Sequence, residues 1–230
     1  MIKFVLMDIE GTTSSIDFVH KVLFPYSLEK LETFIQTHQA EPAVQKALHE
    51  FKNQLPNKNS ELSLGDLIAK AKLMILDDIK YGPLKTLQGF IWQQGYTTGD
   101  IKGHVYPEVP ACLKAWFDQG LQLGIYSSGS VLAQKLIFGF SEYGDLTKYL
   151  SYFFDTATGA KKEASSYEKI ANEIKQAPEN ILFLSDNNDE LAAAQKAQYK
   201  VIFINRDKSG SNGTSGEPYK TVEGFDEIHF

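Results

Sequence analysis

The sequence predicts an α/β protein with a parallel sheet, flanked by helices and interrupted by an inserted helical domain. Apolar runs that are too short for typical helices recur along the chain, and the first, at residues 2–7, ends at Asp8. Helical patterns separate the later runs, which is typical of right-handed βαβ crossovers. Residues 14–104 show helical spacing and contain no good strand candidate. We therefore expect a core domain formed by residues 1–13 and 105–230, with a helical domain at residues 14–104.

The elements after the first strand follow one another in a regular order. Continuous apolar runs predict strands buried on both faces, and amphipathic spacing predicts the helices between them. Later strands are expected at residues 121–126, 152–154, 181–184 and 201–204, with the second of these the weakest. Core helices are expected at residues 109–117, 131–137, 167–174 and 191–197. In the inserted domain, helical spacing is clearest at residues 28–35, 43–51 and 67–76, and turn-forming residues predict loops at 55–60 and 208–218.

The composition argues against several classes of protein. Lysine and arginine number 23 and aspartate and glutamate 29, so the net charge of −6 is unlike that of a dedicated nucleic-acid-binding protein. No apolar stretch reaches the roughly 18 to 20 residues that cross a bilayer, and the apolar start predicts a buried strand and not a signal peptide. Cys112 stands alone, which fits a reducing cytoplasm, and the five histidines show no zinc-binding spacing. We expect a cytoplasmic protein without nucleic-acid or membrane partners.

Polar residues follow the predicted strands at the points where they end. Asp8 and Glu10 follow the first strand, residues 127–130 (Ser-Ser-Gly-Ser) follow the second, and Asp186 follows the strand at 181–184. Ligands of open parallel sheets bind beyond the carboxyl ends of the strands, so these side chains are expected to lie together. A strand-end aspartate alone is more often a turn residue. The joint placement is what predicts a functional site.

These residue types suit the transfer of a phosphoryl group. Asp8 and Asp186 offer hard oxygen ligands for Mg²⁺, and Asp8 beside the metal could attack phosphorus. Glu10 is placed to protonate the leaving oxygen and then to activate water. Lys161 supplies positive charge, although a pair such as Lys161-Lys162 is more often a solvated surface. Phosphate oxygens would be bound at the start of a helix by Ser127, Ser128 and neighbouring amides.

The motif Asp-Ile-Glu-Gly-Thr-Thr at residues 8–13, with Ser127, Lys161 and Asp186, resembles the four motifs of haloacid-dehalogenase superfamily phosphatases. Most of those phosphatases carry Asp-x-Asp in the first motif. The Asp-Ile-Glu variant looks like the enolase-phosphatase family of methionine salvage, the acireductone synthases. Further matching segments lie at residues 24–26, 87–92 and 125–130, so that the resemblance covers nearly the whole chain.

The resemblance implies a reaction and a role for each residue. The family converts the phosphorylated diketone 2,3-diketo-5-methylthiopentyl 1-phosphate to its enol and then, by removing phosphate, to acireductone. Asp8 would be nucleophile and metal ligand, Glu10 would provide a metal-binding oxygen and acid/base function, and Asp186 would complete a site for one Mg²⁺ per subunit. The substrate-binding residues would be Ser127, Ser128 and Lys161. A monomeric enzyme with a Rossmann-like core and an inserted helical cap domain is expected.

Three questions stay open from the sequence. The same motifs would serve a phosphatase of this fold that acts on another small phosphate ester, and a noncatalytic binding protein is the alternative from another class. The base for enolisation is either Glu10 or a group of the cap. The methylthio tail needs an apolar contact, for which the aromatic candidates, equally suited to a core, are Phe18, Phe24, Phe90 and Trp92.

Overall fold

The computed structural model describes residues 1–53, 55, 62–206 and 218–230. The chain divides into two compact units, the first formed by residues 1–16 and 102–230 and the second by residues 17–101. Most of the two predicted loops, residues 56–60 and 208–217, lies outside the described residues. No helix in the described ranges combines the length and the apolarity needed to cross a bilayer.

The first unit is built on a six-stranded sheet in which all pairs are parallel, in the order β3-β2-β1-β4-β5-β6. The strands are β1 Phe4–Met7, β2 Gln122–Tyr126, β3 Tyr152–Phe154, β4 Ile181–Ser185, β5 Lys200–Ile204 and β6 Thr221–Val222. The five predicted strands are confirmed, and the two-residue β6 was not predicted. Phe4 lies opposite Gln122 on one side and Ile181 on the other, so β1 is an inner strand.

Strand β1 is apolar on both of its faces. All four of its residues are fully buried, as expected for a parallel sheet covered on both sides. Phe4 and Leu6 belong to a cluster that includes Tyr167 and Phe183. Gly124 on β2 makes room for the Phe4 ring, since a Cβ at that position would lie 2.7 Å from Phe4 Cζ. This packing holds the carboxyl end of β1 in the middle of the sheet.

Helices of the first unit begin close to the carboxyl ends of the strands. They are α6 Val109–Asp118, α7 Val131–Gly139, α8 Ala164–Ile174 and α9 Asn188–Lys196. The side chain of Ser130 caps α7 by accepting a hydrogen bond from the backbone of Ala133, and Asn187 caps α9 in the same way. The four predicted core helices are confirmed, with ends shifted by a few residues. Two helix N-termini therefore follow β2 and β4 directly.

The second unit is helical. Its helices are α2 Phe24–His38, α3 Pro42–Asn53, α4 Leu64–Leu76 and α5 Gly82–Thr98, preceded by α1 Ile16–Phe18 and a π-helical turn at Val19–Leu23. Leu31, Ile35 and Phe51 are buried in its own core. Of the aromatic candidates, Phe18 and Trp92 are buried, and Trp92 Nε1 donates to the carbonyl of Leu23 at 2.9 Å. Phe24 and Phe90 are half-buried against the same core. The described residues of this unit form no strand.

Candidate active site

The polar residues that follow three adjacent strands converge at the carboxyl edge of the sheet. Asp8 follows β1, Ser127 follows β2, and Asp186 follows β4. Because β1 pairs with both β2 and β4, these positions are neighbours. The loop after β3 brings Lys161 to the same place. The switch point of a doubly wound sheet is where such folds bind ligands.

Lys161 bridges two carboxylates at the centre of this cluster. Its Nζ lies 2.5 Å from Oδ1 of Asp8 and 2.7 Å from Oε2 of Glu190. Only 9% of the Lys161 side chain is exposed, so these contacts are shielded from solvent. Burial alone would lower the pKa of Lys161, but the charges of Asp8 and Glu190 outweigh it and raise that pKa above its usual value. The lysine therefore stays charged throughout the neutral range.

Three hydroxyl groups fix the backbone that carries Lys161. The consecutive carbonyl groups of residues 159–161 accept hydrogen bonds from Tyr126 at 3.0 Å, Ser166 at 2.8 Å and Tyr167 at 2.7 Å, respectively. Tyr167 is itself fully buried in the core between sheet and helix. These hydrogen bonds therefore fix the backbone from which the Lys161 side chain extends.

The turn after β1 is shaped by close packing against Asp186. Gly11 has φ +74°, which favours glycine, and a Cβ there would lie 1.9 Å from Oδ2 of Asp186, so any other residue would displace that carboxylate. Thr12 Oγ1 accepts a hydrogen bond from the backbone N–H of Asp186 at 3.1 Å. Thr13 Oγ1 donates to the carbonyl of Asp8 at 3.0 Å. These contacts join the loop of Asp8 directly to the loop of Asp186.

Ser127 connects the second strand to the first motif. Its Oγ donates to Oε2 of Glu10 at 3.3 Å and accepts from the backbone N–H of Gly129 at 3.1 Å. Ser128 lies next to it, half-buried. The buried side-chain amide of Gln134 donates to the carbonyl of Gly129 at 2.8 Å and so ties this loop to helix α7. The loop stands at the N-terminus of that helix, which favours anions.

The site holds more carboxylates than lysines, and the pKa values of three of its carboxyl groups are raised. Burial and then the charge of Asp8 raise the pKa of Glu10 and that of Glu190. The pKa of Asp186 is raised to about 7, first by loss of water around the carboxylate and then by the charges of Asp8 and Glu190, although part of the residue is exposed. This excess negative charge favours binding of either protons or a cation.

The donor set fits Mg²⁺ better than a cation that needs a closed protein cage. Within the described ranges, no three acidic, histidine or cysteine side chains converge as a metal cluster. Mg²⁺ commonly takes only one or two carboxylates and completes its shell with water and substrate phosphate. Asp8 and Asp186, whose loops are joined through Thr12, offer such a pair.

Neither Glu190 nor Thr12 was predicted from the sequence as a site residue. Glu190 is buried, and besides its contact with Lys161 it accepts a hydrogen bond from Ser185 at 3.0 Å. Its position four residues after Asp186, within the first turn of α9, was the available signal. Acidic residues are common at helix N-termini, so this signal alone does not distinguish a site residue from a helix-stabilising one.

A family model of haloacid dehalogenase-like hydrolases matches residues 2–198. Enolase-phosphatase E1 of Sulfurihydrogenibium sp. (strain YO3AOP1) is 50% identical over 228 residues, which cover 99% of this chain and 98% of that protein. Enolase-phosphatase E1 of Picosynechococcus sp. (strain ATCC 27264 / PCC 7002 / PR-6) is 49% identical over 230 residues, 99% of this chain and 98% of that protein. The chain belongs to the haloacid dehalogenase-like hydrolases.

Solved structures place this hydrolase in the same fold. The UTR4 protein of Saccharomyces cerevisiae superposes with a TM-score of 0.80 at 32% identity, covering 99% of this chain and 100% of that one. L-2-haloacid dehalogenase of Xanthobacter autotrophicus gives a TM-score of 0.58 at 16% identity, with 99% and 96% covered, and this likeness shows the fold alone. The predicted α/β fold and the predicted superfamily are thus confirmed, and full-length identity places the hydrolase among the enolase-phosphatase E1 proteins.

Proposed function

We propose that this hydrolase is an Mg²⁺-dependent enolase-phosphatase that acts on 2,3-diketo-5-methylthiopentyl 1-phosphate in methionine salvage. It enolises the diketone and then removes the phosphate to give acireductone. The observation that carries the proposal is full-length identity of 50% to a protein named enolase-phosphatase E1. The contact between Lys161 and Asp8 supports the phosphatase half. We propose a cytoplasmic monomer with one Mg²⁺ per subunit.

Asp8 is the proposed nucleophile of the phosphatase step. One of its carboxylate oxygens forms a bond to phosphorus while the bond from phosphorus to the substrate oxygen breaks, which leaves an aspartyl-phosphate. Lys161 orients the carboxylate through the 2.5 Å contact with Oδ1. Ser127, Ser128 and the amides at the start of α7 bind the other phosphate oxygens. A water molecule then attacks phosphorus, and phosphate leaves as Asp8 is regenerated.

Glu10 is the proposed acid and base of this step. Its pKa is raised by burial and by the charge of Asp8, so a larger fraction of this carboxyl carries a proton near neutral pH than an exposed glutamate would. The protonated carboxyl gives its proton to the leaving oxygen, and the resulting carboxylate accepts a proton from the attacking water. The hydrogen bond from Ser127 holds the carboxyl in place for both transfers.

The metal ion would be held by carboxylates of Asp8 and Asp186 together with an oxygen of Glu10. When bound, Mg²⁺ supplies positive charge that offsets the charge of the phosphate and polarises a carbonyl oxygen of the diketone. For the enolisation step, Glu10 is the proposed base that removes the carbon-bound proton. Glu10→Asp shortens this side chain by one methylene, so turnover should fall while Mg²⁺ binding changes little; unchanged turnover would remove Glu10 from this role.

The proposal is tested by a paired assay on the diketone phosphate with Mg²⁺. Phosphate release and the ultraviolet absorbance of the conjugated enol are recorded in the same sample, with EDTA added to a second sample. Both signals should appear, and EDTA should abolish both. Asp8→Asn should reduce phosphate release by a factor of about 10³ or more. Release from other phosphate esters without enol absorbance would instead assign a phosphatase with a different substrate.

A further inference from the structure

Arg206 anchors the turn that follows the nucleophile strand. It lies just after β5, and its Nε and Nη2 donate to the carbonyl of Thr12 at 3.1 and 2.6 Å. Its Nη1 lies 2.5 Å from Oε1 of Glu108 and donates to the carbonyl of Glu223 at 3.2 Å. Only 12% of the Arg206 side chain is exposed. One guanidinium group therefore joins three separate segments of the chain.

The plane of the guanidinium is also fixed. Its central carbon lies 4.0 Å from the centre of the Tyr106 ring and 5.4 Å from that of Phe225. The backbone N–H of Tyr106 in turn donates to the carbonyl of Thr13 at 3.0 Å, so the ring is tied to the same turn. Stacking and forked hydrogen bonds together need a flat group with several donors, which a lysine ammonium cannot replace.

Arg206 also stands out in the composition of the chain. Among the 23 basic residues of the sequence, Arg206 is the one arginine and the other 22 are lysine. The single arginine stands where one side chain makes four hydrogen bonds and stacks on an aromatic ring.

The anchored turn contacts two parts of the candidate site, Asp8 and Asp186. Thr12, whose carbonyl Arg206 holds, accepts the backbone N–H of Asp186 with its own hydroxyl. Gly11, the residue before it, packs directly against the Asp186 carboxylate, since a Cβ there would lie 1.9 Å from Oδ2 of Asp186. Thr13, the residue after it, donates to the carbonyl of Asp8. A shift of the Thr12 carbonyl would therefore change the spacing of Asp8 and Asp186.

We propose that Arg206 is a positioning residue that sets the spacing of Asp8 and Asp186 by clamping the Thr12 carbonyl, with Glu108 orienting its guanidinium. The inference rests on the proposed function, because these two carboxylates are the proposed nucleophile and metal ligands. Arg206 does not touch the reacting atoms. Its effect is on how well the two carboxylates bind Mg²⁺ together and on how well Asp8 is aligned with phosphorus.

The test compares Arg206→Lys, Arg206→Ala and Glu108→Gln with the wild type, at a temperature where circular dichroism shows each protein to be folded. The control is Lys200→Met, which removes an exposed charge from the start of β5, the strand that Arg206 follows. Two measurements are made: steady-state kinetics of phosphate release, which gives kcat and KM, and the Mg²⁺ concentration that gives half of the Mg²⁺-induced rise in Tm. The second needs no substrate and reports metal binding alone.

Arg206→Lys should lower kcat roughly ten- to hundredfold, because a small misplacement of reacting groups costs this much. It should also raise the half-saturating Mg²⁺ concentration severalfold. Glu108→Gln should do both to a lesser extent, Lys200→Met should do neither, and low millimolar guanidinium should partly restore Arg206→Ala. A merely structural arginine would lower Tm while kcat and the Mg²⁺ midpoint stayed at wild-type values, and that result would overturn the inference.

Failure of the proposed function has a different signature. A wild type that released no phosphate would overturn the proposed activity, while a shifted Mg²⁺ midpoint in Arg206→Lys would still support the clamp. If Arg206→Lys did not fold, the Mg²⁺ midpoints of Glu108→Gln and Lys200→Met would test the clamp, since each substitution removes a single charge. An unchanged Mg²⁺ midpoint in Glu108→Gln would then count against the clamp.

Discussion

The ammonium of Lys161 lies 2.5 Å from Oδ1 of Asp8, and both side chains are almost completely shielded from water. The same ammonium lies 2.7 Å from Glu190, so one cation serves two carboxylates. A hydrogen bond on one carboxylate oxygen restricts rotation of the Asp8 carboxylate. A change to any of these three buried side chains, Asp8, Lys161 or Glu190, should therefore alter both the charge and the stability of the site.

Lys161→Met should lower both stability and turnover far more than Lys162→Met. Removing one partner of a buried ion pair leaves uncompensated charge and costs about 3–5 kcal/mol, and turnover should fall by a factor of about 10² to 10³. The side chain of Lys162 is 61% exposed in its pair with Asp189, and such surface pairs contribute little to stability. Urea unfolding and phosphate release measure the two effects. Equal losses in both variants would contradict this account of Lys161.

Glu190→Gln should lower kcat by about tenfold, whereas Asp189→Asn should leave it within a factor of about two. Glutamine keeps an oxygen that accepts from Ser185 and Lys161, but it removes the charge that helps to hold the ammonium. The matched residue Asp189 is exposed and forms a surface ion pair with Lys162. Steady-state kinetics on the two variants checks the prediction. A normal kcat for Glu190→Gln would limit Glu190 to a structural role.

Asp186→Asn should stabilise the metal-free protein at high pH. The pKa of Asp186 is raised from 3.8 to about 7 in the folded state, so between these values the folded chain keeps a proton that the unfolded chain has lost. The contribution of Asp186 to the stability of the wild type therefore falls as pH rises from about 4 through about 7, and the loss is complete once the pH is well above 7. Asparagine has no such proton to lose.

The stabilisation by Asp186→Asn should be on the order of 1 kcal/mol at pH 8 and near zero at pH 4, since solvent screens the partly exposed carboxylate. Urea unfolding of both proteins in EDTA at the two pH values measures the difference. Saturating Mg²⁺ should reverse the order at pH 8, because only the wild type keeps the metal-binding carboxylate. A difference that did not change with pH would refute this assignment of the Asp186 pKa.

Tyr167→Phe should impair turnover more than Tyr199→Phe, although both remove one buried hydroxyl. The Tyr167 hydroxyl donates to the Lys161 carbonyl at 2.7 Å, while that of Tyr199 donates to the Tyr167 carbonyl at 2.7 Å. Each loss should cost about 1 kcal/mol of stability. Only Tyr167→Phe loosens the backbone of Lys161, so its kcat should fall several-fold at unchanged KM. Equal kcat values in the two variants would argue against the hydroxyl support of this loop.

The sheet could be predicted because burial on both faces leaves a continuous apolar run, as at Phe4–Met7. Strand β6 could not, since two residues carry no period. Helix α5, Gly82–Thr98, lies within the predicted helical domain but was not among its segments of clearest helical spacing, because its buried residues include polar and glycine positions that blur the apolar stripe. Helix periodicity is a weak signal when a helix is buried on several sides.

The candidate site was predictable to the extent that its residues follow strands. Asp8, Ser127 and Asp186 stand at the ends of recognisable apolar runs, and the structure brings their loops together. Glu190 and Arg206 could not be assigned, because their partners lie far away in the sequence. The contact of Glu190 with Lys161 and that of Arg206 with Thr12 depend on the order of the strands. Spacing along a chain does not contain that information.

The position of β1 in the sheet has a consequence for synthesis of the protein. Its first partner, β2, begins about 115 residues after β1 ends, and its second, β4, begins later still. At the usual pace of translation, the apolar strand waits roughly 6 to 23 s before β2 leaves the ribosome. During that time the helical unit, which has a core of its own, is the only large part of the described chain whose packing partners have all been synthesised. The nascent enzyme must therefore keep its first strand from aggregating until the rest of the sheet arrives.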